Sequence, residues 1–394
     1  MKKVLLLLQS LRYGGGAENV VSTLSRKLSS KYKFLILTIH DFKNIYPHNG
    51  IYYSLQENQG LLQKFLSFFK INLIIRNFRI YMLIKSFSPD IIISFMELVN
   101  IYAIITKLFF RIKIPLIISV RCNPKMQFKD NMSYLNFLIK IFYPIKIVNR
   151  IVSNSKGVGD ELRDYYGIEA QKLKIINNGI DIENINNMKK NKISEYKELF
   201  YNKDLIKFII VGRLRVEKGH DYLIKAFSIV KKQLPNSKLI IIGDGPLRNE
   251  LEQLIEKLAL KDNVLLMGLR KNPYKYMAKS DIFVLSSKYE GFPNALLEAL
   301  ACGLPIISTD CETGPREILN NGHYGLLAKV MDINDLAEKM INLANNTPLL
   351  EDLSKLSLER AKYYNIKGIL KEWINLIENE KNFQVNKIIL KIKN

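Results

Sequence analysis

The chain has 394 residues, 48% hydrophobic and 24% charged, with three cysteines, Cys122, Cys302 and Cys311, at no metal-ligand spacing. This is globular composition with room for two domains of roughly 150–200 residues, and so few cysteines exclude a disulfide framework and fit a reducing cytosol. The net charge of +22 is uneven, because residues 1–150 hold 22 Lys and Arg against 6 Asp and Glu, while the other 244 hold 37 against 31. A basic half suits an anionic partner such as nucleic acid, anionic lipid or a phosphorylated substrate, unless it reflects drift in a chain rich in Lys, Ile and Asn.

The chain opens on Met1-Lys2-Lys3 and an apolar run to Leu8, followed by Gly14-Gly15-Gly16 and no small-residue cleavage site. That reads as a buried first strand running into a tight turn, not as a signal peptide. Short apolar runs then alternate with helical patterns, which predicts parallel α/β architecture. In the first block strands are expected at residues 4–9, 34–39, 91–94, 116–120, 150–153 and 173–176, with helices at 18–29 and 157–166. The second block has strands at 208–211, 238–242, 264–267, 282–285, 305–308 and 325–328, with helices at 222–233, 247–258, 294–302 and 333–345. A polar, charged stretch at 181–204 separates the blocks.

The expected organisation is two Rossmann-like, doubly wound α/β domains facing a cleft. The first, residues 1–184, would bind the acceptor and the second, 185–380, the donor. A C-terminal helix at about 366–380 is expected to pack back on the first domain, and 381–394 form a basic tail.

No segment reaches about 18 uninterrupted apolar residues. The best stretches, 101–110 and 114–120, are broken by Lys107, Arg111 and Lys113. Residues 61–87 interleave Phe65, Phe68, Phe78 and Tyr81 with Lys64, Lys70, Arg76, Arg79 and Lys85. Two readings fit that pattern: a helix lying in a membrane interface, or a crossover helix burying one face on a sheet.

Several turns after strands carry chemistry. Gly14 to Gly16 permit close approach of a charged group to a helix N-terminus, and equally describe a plain turn. Their spacing is not the dinucleotide fingerprint. After the strand ending at Val211 come Gly212, Arg213 and Lys218, where two cations can clamp a diphosphate and neutralise it as a leaving group. His220 beside them reads as structural. Gly243 to Pro246 form another strand-to-helix turn.

The sharpest element is Ser286 to Gly303, in which Glu290 precedes a helix that begins near Pro293 or Asn294 and is capped by Gly303. Gly291 leaves space for a ligand, and the backbone N–H groups of Phe292 to Asn294 face the helix's positive end. Glu298, set among Ala295, Leu296, Leu297, Ala299 and Leu300, fits a hydroxyl acceptor better than a solvated face.

The run Glu-Gly-Phe-Pro-Asn-Ala-Leu-Leu-Glu from Glu290 to Glu298 resembles the signature of family-4 retaining glycosyltransferases with the GT-B fold. Gly212-Arg213-Leu214 to Lys218-Gly219, Gly243-Asp244-Gly245-Pro246, Asn178-Gly179-Ile180-Asp181 and the Gly14 to Glu18 loop match the same family in order and spacing. The resemblance covers essentially the whole chain.

It implies that Arg213 and Lys218 bind the donor diphosphate, Glu290 the transferred sugar and Glu298 the ribose hydroxyls. Gly212, Gly291, Phe292, Pro293 and Asn294 would form the rest of the donor site, Leu269 would lie at the nucleobase, and Gly15 and Gly16 would close the phosphate side. The segment 308–318 resembles a subset that transfers hexoses or N-acetylhexosamines in bacterial surface-glycan assembly. The implied donor is a nucleotide sugar, probably UDP-linked in this subset, and no metal or other cofactor is expected.

One departure is Ser119-Val120-Arg121, where many members have a histidine. Arg121 cannot act as a base, so it is assigned with Glu18 to positioning the acceptor or the sugar. The implied acceptor is a glycan or a lipid-pyrophosphate-linked glycan. The enzyme would be cytoplasmic, peripheral at the inner face of the cytoplasmic membrane, and would bind no nucleic acid. A sugar-nucleotide epimerase of related fold is the alternative. A glycan phosphorylase and a nucleic-acid-binding protein lack the lysine context and the binding motif they would need.

Overall fold

A computed structural model of the chain describes residues 1–12, 14–42, 45–55, 71–128 and 133–392. Residues 61–70 of the basic aromatic stretch lie outside the described residues. Two compact units are formed: Met1–Ile176 with Leu370–Asn394, and Asn177–Ile369.

Unit 1 holds a seven-stranded sheet in the order β3-β2-β1-β4-β5-β6-β7. Its strands are β1 (Lys2–Leu8), β2 (Tyr32–Thr38), β3 (Ile51–Ser54), β4 (Ile91–Phe95), β5 (Leu116–Val120), β6 (Arg150–Ser153) and β7 (Leu173–Ile175), all paired in parallel. Parallel strands covered on both faces must be apolar at every position, and β1, β4 and β5 are: Val4 to Leu8, Ile91 to Phe95 and Leu116 to Val120 are buried without alternation. β3, absent from the sequence expectation, is a four-residue edge strand with half its side chains in solvent.

Parallel crossovers are right-handed. Helices Ile71–Phe87, Glu97–Phe109, Ser133–Phe142 and Lys156–Asp164, which carry the chain towards β7, therefore share one face of the sheet. Helix Gly16–Lys27 runs the other way, to the opposite face. Lys107, which interrupts the apolar run, is buried in helix Glu97–Phe109, where its Nζ donates to Ile114 O and burial pulls its pKa down to about 8.

The last helix, Ile366–Ile392, is fixed within unit 1 by a Lys2–Glu378 ion pair of 2.6 Å, by Arg150 Nε at 3.3 Å from Glu380, and by Trp373 against Phe95, ring centroids 6.1 Å apart.

Unit 2 holds a six-stranded parallel sheet in the order β10-β9-β8-β11-β12-β13. The strands are β8 (Ile206–Val211), β9 (Ser237–Ile242), β10 (Val264–Gly268), β11 (Ile282–Leu285), β12 (Ile306–Thr309) and β13 (Leu326–Ala328). Successive side chains of a strand point to opposite faces, so Phe208 and Ile210 enter a core with Phe227, Val284 and Met340. Ile209 enters the other, with Phe283, Leu297 and Leu300. Residues 177–180 belong here because Ile180 N donates to Tyr364 O and Ile366 N to Ile180 O, both at 2.9 Å.

In both sheets the strand order reverses beside the first strand, between β1 and β4 and between β8 and β11. Ligands of doubly wound sheets bind beyond the carboxyl ends of the strands at such a switch point.

Candidate active site

In unit 2 the switch point carries the loops that follow β8 and β11. β8 hands the chain to Gly212, the exposed Arg213 and one 3-10 turn, Val216–Lys218. Gly219 then takes φ +62°, and a Cβ there would stand 2.2 Å from Ser286 O, so only glycine lets the two loops close on each other. Ser286 Oγ donates to Lys218 O at 2.9 Å and Lys288 N to Glu217 O at 2.8 Å. So pinned, Lys218 Nζ reaches 2.6 Å from Glu290 Oε1, which also accepts from Ser287 Oγ at 2.7 Å. The carboxylate side chain is 9% exposed and the lysine 21%, so this pair is screened far less than a surface ion pair.

The Glu290 loop is clamped from two sides. Thr313 Oγ1 donates to Glu290 O, and Gly314, at φ +87°, passes so close that a Cβ would meet Gly291 O at 2.8 Å. From the other side Asn178 Nδ2 donates to Phe292 O at 2.8 Å and to Asn294 Oδ1 at 2.7 Å. Buried Phe292 packs edge-on to Tyr364, centroids 5.4 Å apart.

Helix Asn294–Cys302 then starts from Pro293 as N-cap and ends at Gly303. Pro293 has no N–H, which corrects the expectation that all of Phe292 to Asn294 offer backbone donors. Pro293 contributes shape only, and the donors of this turn come from its neighbours.

Glu298 lies one turn into the helix, half-buried, with Tyr274 Oη donating to its Oε1 at 3.3 Å. Burial pushes its carboxyl up to about 7, although part of the side chain still meets solvent. Leu269 follows β10 and is 49% exposed. His220 is buried at the head of helix His220–Gln233, and burial, with Lys218 adding to it, holds its pKa down at about 3. A neutral, enclosed imidazole is a packing group, as expected.

In unit 1, Gly15 is the N-cap of helix Gly16–Lys27 and Gly14 N donates to Tyr46 Oη at 3.2 Å. Glu18 is buried, its carboxylate folded over Gly15 so that a Cβ there would lie 2.0 Å from Oε2. Arg121, at the end of β5, sets its guanidinium 5.6 Å from the Phe95 ring and 5.4 Å from the Trp373 ring. This desolvation lowers its pKa to about 9. Beyond β4, Met96 adopts φ +74° and is followed by buried Glu97, which accepts from Cys122 Sγ at 3.2 Å.

The family model described as Glycosyltransferase Family 4 matches residues 14–184, and that described as Glycosyl transferases group 1 matches residues 191–360. An uncharacterized glycosyltransferase of Methanocaldococcus jannaschii is 35% identical over 338 residues, 77% of this chain and 82% of the relative. The N-acetylgalactosamine-N,N'-diacetylbacillosaminyl-diphospho-undecaprenol 4-alpha-N-acetylgalactosaminyltransferase of Campylobacter jejuni is 33% identical over 371 residues, 93% of this chain and 96% of the relative. The chain belongs to the family-4 glycosyltransferases.

The fold is shared with Anabaena Alr3699/HepE, crystallised with UDP and glucose, at a TM-score of 0.74 and 19% identity over 96% of this chain and 100% of that one. The two sheets are thus the two Rossmann-like domains of the GT-B fold. An epimerase is not favoured, because the relatives are transferases.

In unit 2 of this glycosyltransferase, the structure gathers Gly212, Lys218, Glu290 and Gly291 at one switch point. Ser287, Thr313 and Tyr274 were missed as partners. Ser287 lies within the run that drew attention to Glu290, and a hydroxyl three residues before a loop carboxylate was the available signal. Thr313 and Tyr274 come from distant segments and left none. Asn178 was recognised only as part of a motif, and its geometry makes it a brace for the turn ahead of the helix.

Proposed function

We propose that the protein transfers a hexose or N-acetylhexosamine from a UDP-sugar, with retention at the anomeric carbon, to a glycan or lipid-pyrophosphate-linked acceptor in surface-polysaccharide assembly. The reading rests on one observation above all: Lys218 meets the buried Glu290 at the switch point of unit 2, with Arg213 on the same loop. A departing nucleoside diphosphate develops negative charge, and fixed cations in a partly desolvated site stabilise that charge without reorganising. Arg213 and Lys218 supply it, and the dipole of helix Asn294–Cys302 adds to it.

Glu290 holds the Lys218 ammonium in place and presents a carboxylate to the hydroxyls of the transferred sugar. Glu298 accepts from the ribose, and Leu269 gives the nucleobase an apolar rest. With cations carrying the leaving-group charge, turnover needs no divalent metal. The departing phosphate takes the acceptor's proton on the face it leaves, which gives retention.

Unit 1 takes the acceptor, and Glu18 and Arg121 orient it or the sugar. Support for the acceptor class comes from the diphospho-undecaprenol named for the Campylobacter relative and from the basic excess of residues 1–150. A lipid-linked acceptor brings the enzyme to the cytoplasmic face of a membrane, where it is held peripherally. No described helix is long and apolar enough to cross one.

The test is a panel of individual sugar nucleotides. UDP-sugars should shift the melting temperature, and one of them should release UDP only when acceptor is added, with the α-linkage kept. Turnover abolished by a chelator, or a preference for a non-uridine donor, would overturn the corresponding part.

A further inference from the structure

Helix Ile71–Phe87 is apolar on two faces. Its inner stripe, Ile80 and Ile84, enters the core of unit 1. Its outer stripe, Ile74, Phe78 and Met82 at four-residue spacing, is 66%, 50% and 51% exposed. A helix that only covers a sheet keeps polar residues on the outside.

The outer stripe is not isolated. Tyr81 stacks on Phe110 at 4.2 Å and Phe78 lies 6.2 Å from it, which joins this helix to the end of helix Glu97–Phe109, where Phe109 is 75% exposed. Helix Ser133–Phe142 packs on the far side of helix Glu97–Phe109 and repeats the pattern with exposed Tyr134, Phe137 and Ile141 at i, i+3 and i+7. Three neighbouring helices on one face of the sheet thus carry outward apolar stripes, more than isolated surface hydrophobics account for.

The charge around them has one sign. Residues 71–128 and 133–159 contain twelve Lys and Arg and two acidic residues. Of those two, Asp90 accepts from Lys3 N at 3.0 Å and Glu97 is buried. Exposed Arg79, Lys85, Arg111 and Lys140 lie within or beside the stripes.

We propose that the outer face of helices Ile71–Phe87, Glu97–Phe109 and Ser133–Phe142 is a docking surface for an anionic phospholipid bilayer. It rests on the peripheral attachment proposed above and gives that attachment a place. The apolar stripes enter the boundary between head groups and acyl chains while the basic rim engages lipid phosphates, the two terms that set interfacial binding. A soluble polyanion would use the rim and leave the stripes in water, and a second copy of this chain would bring the same positive rim against itself.

The test is co-sedimentation of the full chain with phosphatidylcholine vesicles, with and without phosphatidylglycerol. Wild type should bind the anionic vesicles and release with salt. I74Q/F78Q/F109Q, on exposed positions, should bind about tenfold more weakly, and R79E/R111E should lose the preference for anionic lipid. All variants should keep the wild-type melting temperature and its shift with UDP.

Wild type that binds no vesicle overturns the attachment itself. Wild type that binds while both variants bind equally well overturns this face alone. Loss with the charge variant but not the apolar one shows adsorption without insertion and overturns the docking geometry. A wild-type dimer that becomes monomeric in the apolar variant makes the face a self-interface and overturns the proposal.

Discussion

Lys218 Nζ and Glu290 Oε1 stand 2.6 Å apart although 72 residues separate them in the chain, and Ser287 Oγ completes the contact at 2.7 Å. A single carboxylate oxygen therefore orders the cation that faces the diphosphate. Glu290→Gln keeps the shape and a hydrogen bond from Ser287 but removes the charge. It should lower kcat by about 10², and Lys218→Ala by about 10²–10³, the range for removing one stabilising group from a developing anion. UDP binding should survive the first change and weaken in the second. Single-turnover rates and UDP titrations on both variants check this, and equal small effects would move the chemistry elsewhere.

Glu298 carries a pH dependence whose sign is fixed by its raised pKa of about 7. A carboxyl that holds its proton in the folded state up to that value, and in the unfolded chain only to about 4.5, makes stability fall as pH rises between the two. Ribose hydroxyls donate to the ionised form, so donor affinity should run the opposite way, rising through pH 7 and levelling off above about pH 8. Below the pKa it should drop by roughly tenfold per pH unit if only the carboxylate binds. Tyr274 faces the group, and Cys302 remains a thiol here because burial pushes its pKa up to about 12. A UDP-sugar has no phosphate monoester titrating in this window, unlike UDP, so it is the ligand to titrate. Glu298→Gln should flatten the profile, and an unchanged slope would assign it to another group.

Asn178 should behave as a brace. Its one side-chain amide spans Phe292 O and Asn294 Oδ1, both just ahead of the donor-site helix. Asn178→Ala leaves a buried carbonyl short of a partner, at a cost of about 1–3 kcal/mol. For a domain of this size that corresponds to a loss of roughly 2–4 °C in Tm per kcal/mol. Calorimetry should show the loss, with a weaker UDP-sugar Kd beside it. A weakened Kd at unchanged Tm would make Asn178 a ligand contact instead.

The sheets and the central motif were legible in sequence for one physical reason: a parallel strand covered on both faces is a continuous apolar run, and a loop after it with Gly, Lys or Glu is conspicuous. Val4 to Leu8 and Ile282 to Leu285 read this way. Ile51–Ser54 did not, since an edge strand of four half-exposed residues lacks the signal. Helices Glu97–Phe109 and Ser133–Phe142 were hidden for the opposite reason. Apolar on the inner face and, at Phe109, Phe137 and Ile141, on the outer one, they show little periodicity. At the site, the residue types were readable but their partners were not, because Asn178 to Asn294 and Lys218 to Glu290 are contacts made by the sheet order.

Arg121 offers the sharpest choice between a positioning role and a structural one. Its guanidinium lies against Phe95 at the end of β4 and Trp373 in the last helix, 5.6 and 5.4 Å from the ring centroids. A cation so placed contributes about 0.5–2 kcal/mol to holding the rings together. Trp373 is the chain's single tryptophan and is 1% exposed, so its emission reports on this one contact. Arg121→Ala should bring the Trp373-detected unfolding transition to lower denaturant. Arg121→Lys, which keeps the charge but loses the planar stack, should fall between. If Arg121 acts only through this packing, turnover measured well below the transition should stay near wild type in both variants, and UDP binding should be untouched. If it orients acceptor or sugar, KM for the acceptor or kcat should suffer in the lysine variant by far more than its stability does, because a bidentate guanidinium contact is lost even while the helix stays docked.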